Sequence, residues 1–281
     1  MDDPARGEPQ SPPRTPRRLT AGRLGALRRE RNGIGMRHIV PNAMTAMAFC
    51  AGLTGIRYGI SQEWERALLA VVVAAVLDGL DGRVARMLRG QSRFGAEMDS
   101  LSDATAFGVS PALIIYLWSL QAMPRFGWIV ALCHALACVL RLARFNANID
   151  VDNQPHKRAG YLTGVPAPAG AMLAFIPLLA WMVSGQDIFR DPLLVGPWLL
   201  MTAFLMISNV ATFSWKAMRI RRTIRLEVIG ATGLIAALLI SDPWLTLLIL
   251  SLAYLAVIPF GVMSYAKVKR QQRNAGGSPG E

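Results

Sequence analysis

The sequence predicts an all-α membrane protein with about eight transmembrane helices. Its 281 residues are 53% hydrophobic, and the mean hydropathy is +0.34. Long uncharged runs recur along the chain, and several reach the roughly 20 apolar residues that a helix needs to cross a bilayer. The basic residues gather between alternate runs, as they do in the cytoplasmic loops of membrane proteins. These features favour a helical bundle in a membrane over a soluble domain.

The apolar runs define the predicted spans. We place them at residues 39–60, 67–88, 101–120, 127–147, 165–184, 193–213, 227–241 and 243–264, of which the seventh is short. Alternate connections are basic: residues 83–93 hold four Arg, and residues 216–225 hold five Lys or Arg. An even number of spans with this asymmetry predicts that both termini lie in the cytoplasm.

The net charge of +12 arises from 30 basic and 18 acidic residues. A basic excess is typical of nucleic-acid-binding proteins, but here it follows the loops, so we expect no nucleic-acid partner. Residues 1–38 hold nine Arg and are predicted to be a disordered or basic interfacial cytoplasmic segment. A solvated linker is the alternative for residues 23–38. Residues 267–281 are predicted to be a disordered tail.

Four aspartates flank one short basic connection, two in the second span and two near the third. An ionised Asp in a spanning helix is costly, and such residues tend to face a cavity and to carry function. On a helix, Asp78 and Asp81 share a face because positions three and four apart superimpose. Asp99 and Asp103 share a second face with Gly95 for the same reason. A turn within residues 86–95 would make the two helices antiparallel and bring their aspartates together at the cytoplasmic boundary.

Converging carboxylates cannot all stay ionised without compensation. Oxygen ligands favour hard cations such as magnesium, manganese or calcium. Four aspartates can hold two ions, and paired metals typically act on phosphoryl groups. The structural alternative is that an individual Asp caps a helix or pairs with Arg83, Arg86 or Arg93.

The spacing of these residues resembles the signature of the CDP-alcohol phosphatidyltransferase family. The pattern is Asp78-x-x-Asp81-Gly82-x-x-Ala85-Arg86, then Gly95-x-x-x-Asp99-x-x-x-Asp103. The resemblance implies an enzyme that binds a CDP-linked lipid at two divalent ions, Mg²⁺ or Mn²⁺. An alcohol hydroxyl would attack the lipid-proximal phosphorus, and CMP would leave.

The same resemblance implies roles for individual residues. The metal ligands would be Asp78, Asp81, Asp99 and Asp103, and Asp103 would also be the catalytic base. The residues that bind the CDP-lipid would be Asn42, Thr45, Gly82, Ala85, Arg86 and Gly95. Asn42 and Thr45 belong to a segment that is similar to the start of the family's first helix. For these two, helix capping next to Pro41 is the alternative.

Further segments are similar to the bacterial membrane-embedded phosphatidylserine synthases. They are residues 94–112, 141–148, 163–171 and 206–222. This similarity implies CDP-diacylglycerol and L-serine as substrates, with glycerol 3-phosphate as the alternative acceptor. Arg141, Arg144 and Asn146 are candidates to bind serine or phosphate, because a guanidinium suits bidentate contact with a carboxylate. Positive-inside anchoring is the alternative for either Arg.

The resemblance also implies the organisation of the whole chain. Residues 39–225 would form a six-span catalytic domain, and residues 226–266 would add two spans. We expect a homodimer in a bacterial-type inner membrane, surrounded by membrane lipids, with the active site facing the cytoplasm. A divalent-ion transporter is a distant alternative, because the other spans have almost no acidic residues along which an ion could pass.

Overall fold

The computed structural model describes residues 36–147, 161–208, 211–213 and 225–275. Most of the two predicted disordered segments, 1–38 and 267–281, lies outside these ranges. Where they overlap, the structure is helical, since the first helix begins at Met36 and the last continues to Ala275. Pro41, predicted to begin the first helix, therefore lies inside it.

Helices dominate the described chain, and this confirms the helical character of the predicted fold. In order, the elements are α1 (Met36–Ile60), α2 (Trp64–Met87), α3 (Arg93–Asp103), a π-helical segment (Ala104–Val109), α4 (Ser110–Trp118), α5 (Pro124–Ala147), β1 (Tyr161–Thr163), α6 (Ala167–Ala174), α7 (Ile176–Ser184), α8 (Pro192–Ile207), β2 (Ala211–Phe213), α9 (Arg225–Ser241) and α10 (Pro243–Ala275). Short 3₁₀ turns at Leu120–Ala122 and Asp187–Arg190 precede α5 and α8.

Three helical segments of the described residues are long and apolar enough to cross a membrane. They are α1, the continuous run Arg93–Trp118, and α5. The pair α6 and α7 makes a fourth if it counts as one span, although it bends by 41°. The bend falls at Phe175, just before Pro177, whose ring cannot donate the next helical hydrogen bond. Helix α2 does not qualify, because Asp78, Asp81 and two arginines occupy its final turns.

Two further boundaries differ from the predicted spans by more than one helical turn. The third helix begins at Arg93 rather than at residue 101, because Ser92 caps it: the Ser92 Oγ accepts a hydrogen bond from Gly95 N at 3.0 Å. Helix α8, which corresponds to the predicted sixth span, ends at Ile207 rather than at residue 213. Beyond it, Ala211–Phe213 pairs with Tyr161–Thr163 as a short antiparallel ladder.

The core consists of large side chains from the middle of the bundle. Trp118, Phe107 and Phe175 are among the fully buried residues. Helix α8 packs along α5, and the two are joined by a polar contact in which His134 Nδ1 lies 3.2 Å from Thr202 Oγ1. His134 is fully buried.

Helix α1 is held against the continuous helical run Arg93–Trp118 by small residues and serine hydroxyls. Ser102 Oγ donates to the backbone oxygen of Thr45 at 3.1 Å, and Ser110 Oγ donates to that of Gly52 at 2.8 Å. A Cβ on Gly52 would lie only 2.8 Å from the Cα of Ala106 in the π-helical segment. The two helices therefore approach closely on both sides of Asp103.

The turn between α2 and α3 meets the start of α1 at Gly90. Pro41 has no N–H, so the carbonyl oxygen of Arg37 has no donor at the usual helical position. A Cβ on Gly90 would lie 2.0 Å from that oxygen, so only a residue without a side chain fits there. His38 Nδ1 lies 2.8 Å from the backbone oxygen of Gly90, within hydrogen-bond distance, and so adds a second contact between α1 and this turn.

This contact predicts that Gly90→Ala destabilises the protein, because an added methyl group would force the two backbones apart. A cost of about 1–3 kcal/mol is expected for such overpacking, or a fall in Tm of ~5 °C for a chain of this size. Thermal unfolding in detergent measures the shift. Gly230→Ala is the matched control: a Cβ there meets nothing within 4 Å, so its Tm should stay the same or rise slightly. Equal Tm values for the two variants would contradict the packing described.

Candidate active site and metal centre

Helices α2 and α3 are joined by a five-residue turn, residues 88–92. Helix α2 ends with backbone hydrogen bonds from Leu88 N to Val84 O and from Gly90 N to Ala85 O, each at 2.9 Å. Arg89 has a positive φ of 51°, which reverses the chain. Gly95, proposed for the turn, lies in the first turn of α3 instead. As the sequence predicts, the two helices flank this short turn and both bring aspartates to one place.

Three of the four predicted aspartates converge. One carboxylate oxygen from each of Asp78, Asp99 and Asp103 lies within 4.8 Å of the other two. All three side chains are half-buried. In the described part of the chain, none of them forms a salt bridge with a Lys or Arg, since the ion pair found there joins Arg66 and Glu63. A group of oxygen ligands without a salt bridge to a basic side chain suits a hard divalent ion.

Asp81 lies close to this group but has a different partner. Its Oδ2 accepts a hydrogen bond from Thr45 Oγ1 at 2.6 Å, and only 4% of the residue is exposed. The structure does not place Asp81 among the three oxygens that meet. Thr45, a predicted nucleotide contact, is thus a hydrogen-bond donor to a predicted metal ligand.

Asn42 and Gly95 lie against each other, beside Thr45. A Cβ on Gly95 would be 2.9 Å from Asn42 Oδ1 and 3.1 Å from Ser92 Oγ. The glycine therefore allows the start of α3 to approach α1. The structure brings together Asn42, Thr45, Asp81 and Gly95 at the side of the aspartate group where α1 and α3 meet.

The other residues expected near the nucleotide lie on the outer face of α2. Gly82 is exposed, and a Cβ there would meet nothing within 4 Å. Ala85 is half-buried one turn further on. Arg86 is exposed, and its Nε donates to the backbone oxygen of Gly82 at 3.0 Å. This face has room for a ligand next to the backbone.

The three polar residues at the end of α5 have different surroundings. Arg141 interacts electrostatically with Asp103, although the two form no salt bridge. Arg144 Nη2 donates to the backbone oxygen of Ser208 at 3.4 Å. Asn146 Nδ2 donates to Ser100 Oγ at 2.8 Å, next to Asp99 in sequence. The charge of Arg141 thus acts on the aspartate group.

Sequence reasoning missed several residues that build the site. The hydroxyl of Ser92 caps α3, and the hydroxyls of Ser100 and Ser102 join α3 to α5 and α1. A serine directly before a helical pattern is a known capping signal, so Ser92 could have been found. Ser100 and Ser102 contact residues far away in sequence, and no local pattern indicates such contacts.

Comparison with known proteins places the chain in a family. The family model for CDP-alcohol phosphatidyltransferase matches residues 38–215, and the model for CDP-alcohol phosphatidyltransferase 2 matches residues 223–259. The first match contains all four aspartates and both α2 and α3.

Individual relatives are similar over most of the chain. A Mycobacterium tuberculosis protein is 39% identical over 237 residues, which cover 84% of this chain and 82% of the relative. A Helicobacter pylori protein is 33% identical over 186 residues, covering 65% of this chain and 75% of the relative. Both are named CDP-diacylglycerol–serine O-phosphatidyltransferase. From the family match, the motif and the relatives together, the chain belongs to the CDP-alcohol phosphatidyltransferase family.

Proposed function

We propose that this protein transfers a phosphatidyl group from CDP-diacylglycerol to L-serine, with phosphatidylserine and CMP as products. The convergence of Asp78, Asp99 and Asp103 carries the proposal, because it supplies a site for the cations that a pyrophosphate substrate needs. The names of the relatives support the choice of acceptor.

The proposed cofactors are two divalent cations, Mg²⁺ or Mn²⁺. Asp78, Asp99 and Asp103 would hold one between their three oxygens. Asp81 Oδ1 would contribute to the second, while Thr45 keeps Oδ2 in place. When bound, the cations would neutralise the pyrophosphate and the charge that develops on the departing CMP.

The remaining chemistry belongs to the side chains. The serine hydroxyl oxygen would form a bond to the lipid-proximal phosphorus, and the bond from that phosphorus to CMP would break. Asp103 would accept the hydroxyl proton, and general-base help of this kind contributes about 10²–10⁴-fold. Asn42, Thr45, Gly82, Ala85, Arg86 and Gly95 are proposed to bind the CDP-lipid. Gly82 leaves open space for it, and Arg86 is exposed on the same face.

An apolar cavity of about 330 Å³ offers room for an acyl chain of the lipid substrate. It lies between α2, α6 and α10 and is bordered by Val76, Met172 and Leu250, among others. Val76 precedes Asp78 by less than one turn of α2. A chain in this cavity would therefore begin close to the aspartate group.

The wider setting is also a proposal. We place eight spans in a bacterial-type inner membrane, with both termini and the aspartate group on the cytoplasmic side. The distribution of basic residues supports this orientation. The homodimer rests on the family resemblance alone.

The choice of acceptor predicts the outcome of a direct assay. Purified protein with labelled CDP-diacylglycerol and Mn²⁺ should form labelled phosphatidylserine and CMP when L-serine is added. Removal of the metal with EDTA should stop the reaction. Glycerol 3-phosphate should give little product, because its two negative charges need more cationic ligands than serine does. Product from glycerol 3-phosphate and none from serine would make this chain a different member of the family.

The metal site predicts that Asp99→Asn lowers turnover by at least about 100-fold while the protein still inserts in the membrane. The change keeps the shape of the side chain but removes a charge that would hold the cation. Turnover of CDP-diacylglycerol measures the loss, and an unchanged size-exclusion profile shows that the fold is retained.

Glu97→Gln is the matched control for that variant. It removes the same charge from an exposed position two residues earlier on α3, and its activity should equal that of the wild type. If Asp99→Asn retained activity close to that of Glu97→Gln, Asp99 could not be a metal ligand.

A further inference from the structure

Two buried hydrogen-bond donors near the aspartate group have no partner. Among the residues that the structure describes, they are Nε of Arg141 and the hydroxyl of Tyr254. Arg141 interacts electrostatically with both Asp103 and Tyr254. A buried donor without a partner costs about 1–3 kcal/mol, so such atoms usually meet a ligand or ordered water.

Tyr254 comes from a part of the chain that the sequence motif does not include. It lies on α10, outside the family match over residues 38–215 and inside the second match over residues 223–259. Its side chain is half-buried and also borders the apolar cavity between α2, α6 and α10. Helix α10 therefore brings a polar group to the site that α2, α3 and α5 form.

The two donors have the chemistry of a carboxylate site. A guanidinium N–H and a phenol O–H can each donate to one carboxylate oxygen, and hydrogen bonds to a charged group are the stronger kind. Serine suits this position, because its carboxylate and hydroxyl are attached to adjacent carbon atoms and lie within about 4 Å of each other. When the hydroxyl meets Asp103, the carboxylate must therefore lie next to it, where Arg141 acts.

We propose that Arg141 and Tyr254 bind the carboxylate of the acceptor amino acid, and that Tyr254 is a specificity-determining residue of this enzyme. The proposal rests on the proposed function, since it names the acceptor site of that reaction. It gives α10 a role in acceptor selection. It also explains why the hydroxyl of Tyr254 is buried without a partner inside the protein.

The test is Tyr254→Phe, which removes one oxygen atom and keeps the ring. The KM for L-serine should rise about tenfold, as expected for the loss of one hydrogen bond to a charged group. The KM for CDP-diacylglycerol should change by less than about twofold. A general disturbance of the structure would instead raise both KM values together. Tyr116→Phe is the matched control. Tyr116 lies on α4, and its ring packs edge-on against Trp128. Phe keeps that ring, so the loss of the Tyr116 hydroxyl should leave both KM values unchanged.

A serine analogue without a carboxylate tests whether Tyr254 acts on the carboxylate or on another part of serine. Serinol has the amine and hydroxyl of serine but no carboxylate, and it should inhibit the wild type and Tyr254→Phe equally. Arg141→Lys keeps the charge but lacks the Nε donor, and it should likewise raise the KM for serine selectively. This variant provides the test if Tyr254→Phe gives too little protein.

Two results would overturn the proposal. An unchanged KM for serine in both variants would remove Tyr254 and Arg141 from the acceptor site. An equal rise in the KM for CDP-diacylglycerol would assign the two donors to a phosphate of the lipid. A wild-type protein that forms no phosphatidylserine would instead contradict the proposed function, so the two failures are distinguishable.

Discussion

Carboxylates that meet among apolar helices repel one another, and this repulsion must be compensated if the fold is to hold them together. Asp78, Asp99 and Asp103 come within 4.8 Å in a half-buried position, and in the described chain no salt bridge offsets their charge. The arrangement is costly for stability alone. It is favourable when a divalent cation binds there, so the requirement for a cation links the structure of this site to its chemistry.

The rest of the fold fixes this group from several sides. Helix α1 approaches closely because Gly52 and Gly95 have no side chains, and serine hydroxyls bond the two helices around Asp103. The π-helical segment begins directly after Asp103. Segments of this kind are often found at functional sites. The wider turn changes the direction in which the following side chains point around the helix axis. Asp103 can thus face α2 while α4 continues into the core.

The sequence predicted those parts of the structure that depend on local pattern. Helical period was enough to place Asp78 and Asp81 on one face and Asp99 and Asp103 on another, and hydropathy located the helices. The contact between Thr45 and Asp81 and the pairing of the two strands join residues far apart in the chain. No periodicity indicates such pairs, because packing alone decides them. The same reason explains why the sequence does not indicate the contact between Arg144 and Ser208.

Anomalous X-ray scattering from a crystal grown with Mn²⁺ tests the central claim most directly. The account predicts a manganese peak bound by oxygens of Asp78, Asp99 and Asp103, at the place where α2 and α3 face each other. A map in which these carboxylates turn apart, or bind arginine side chains with no manganese between them, would contradict it.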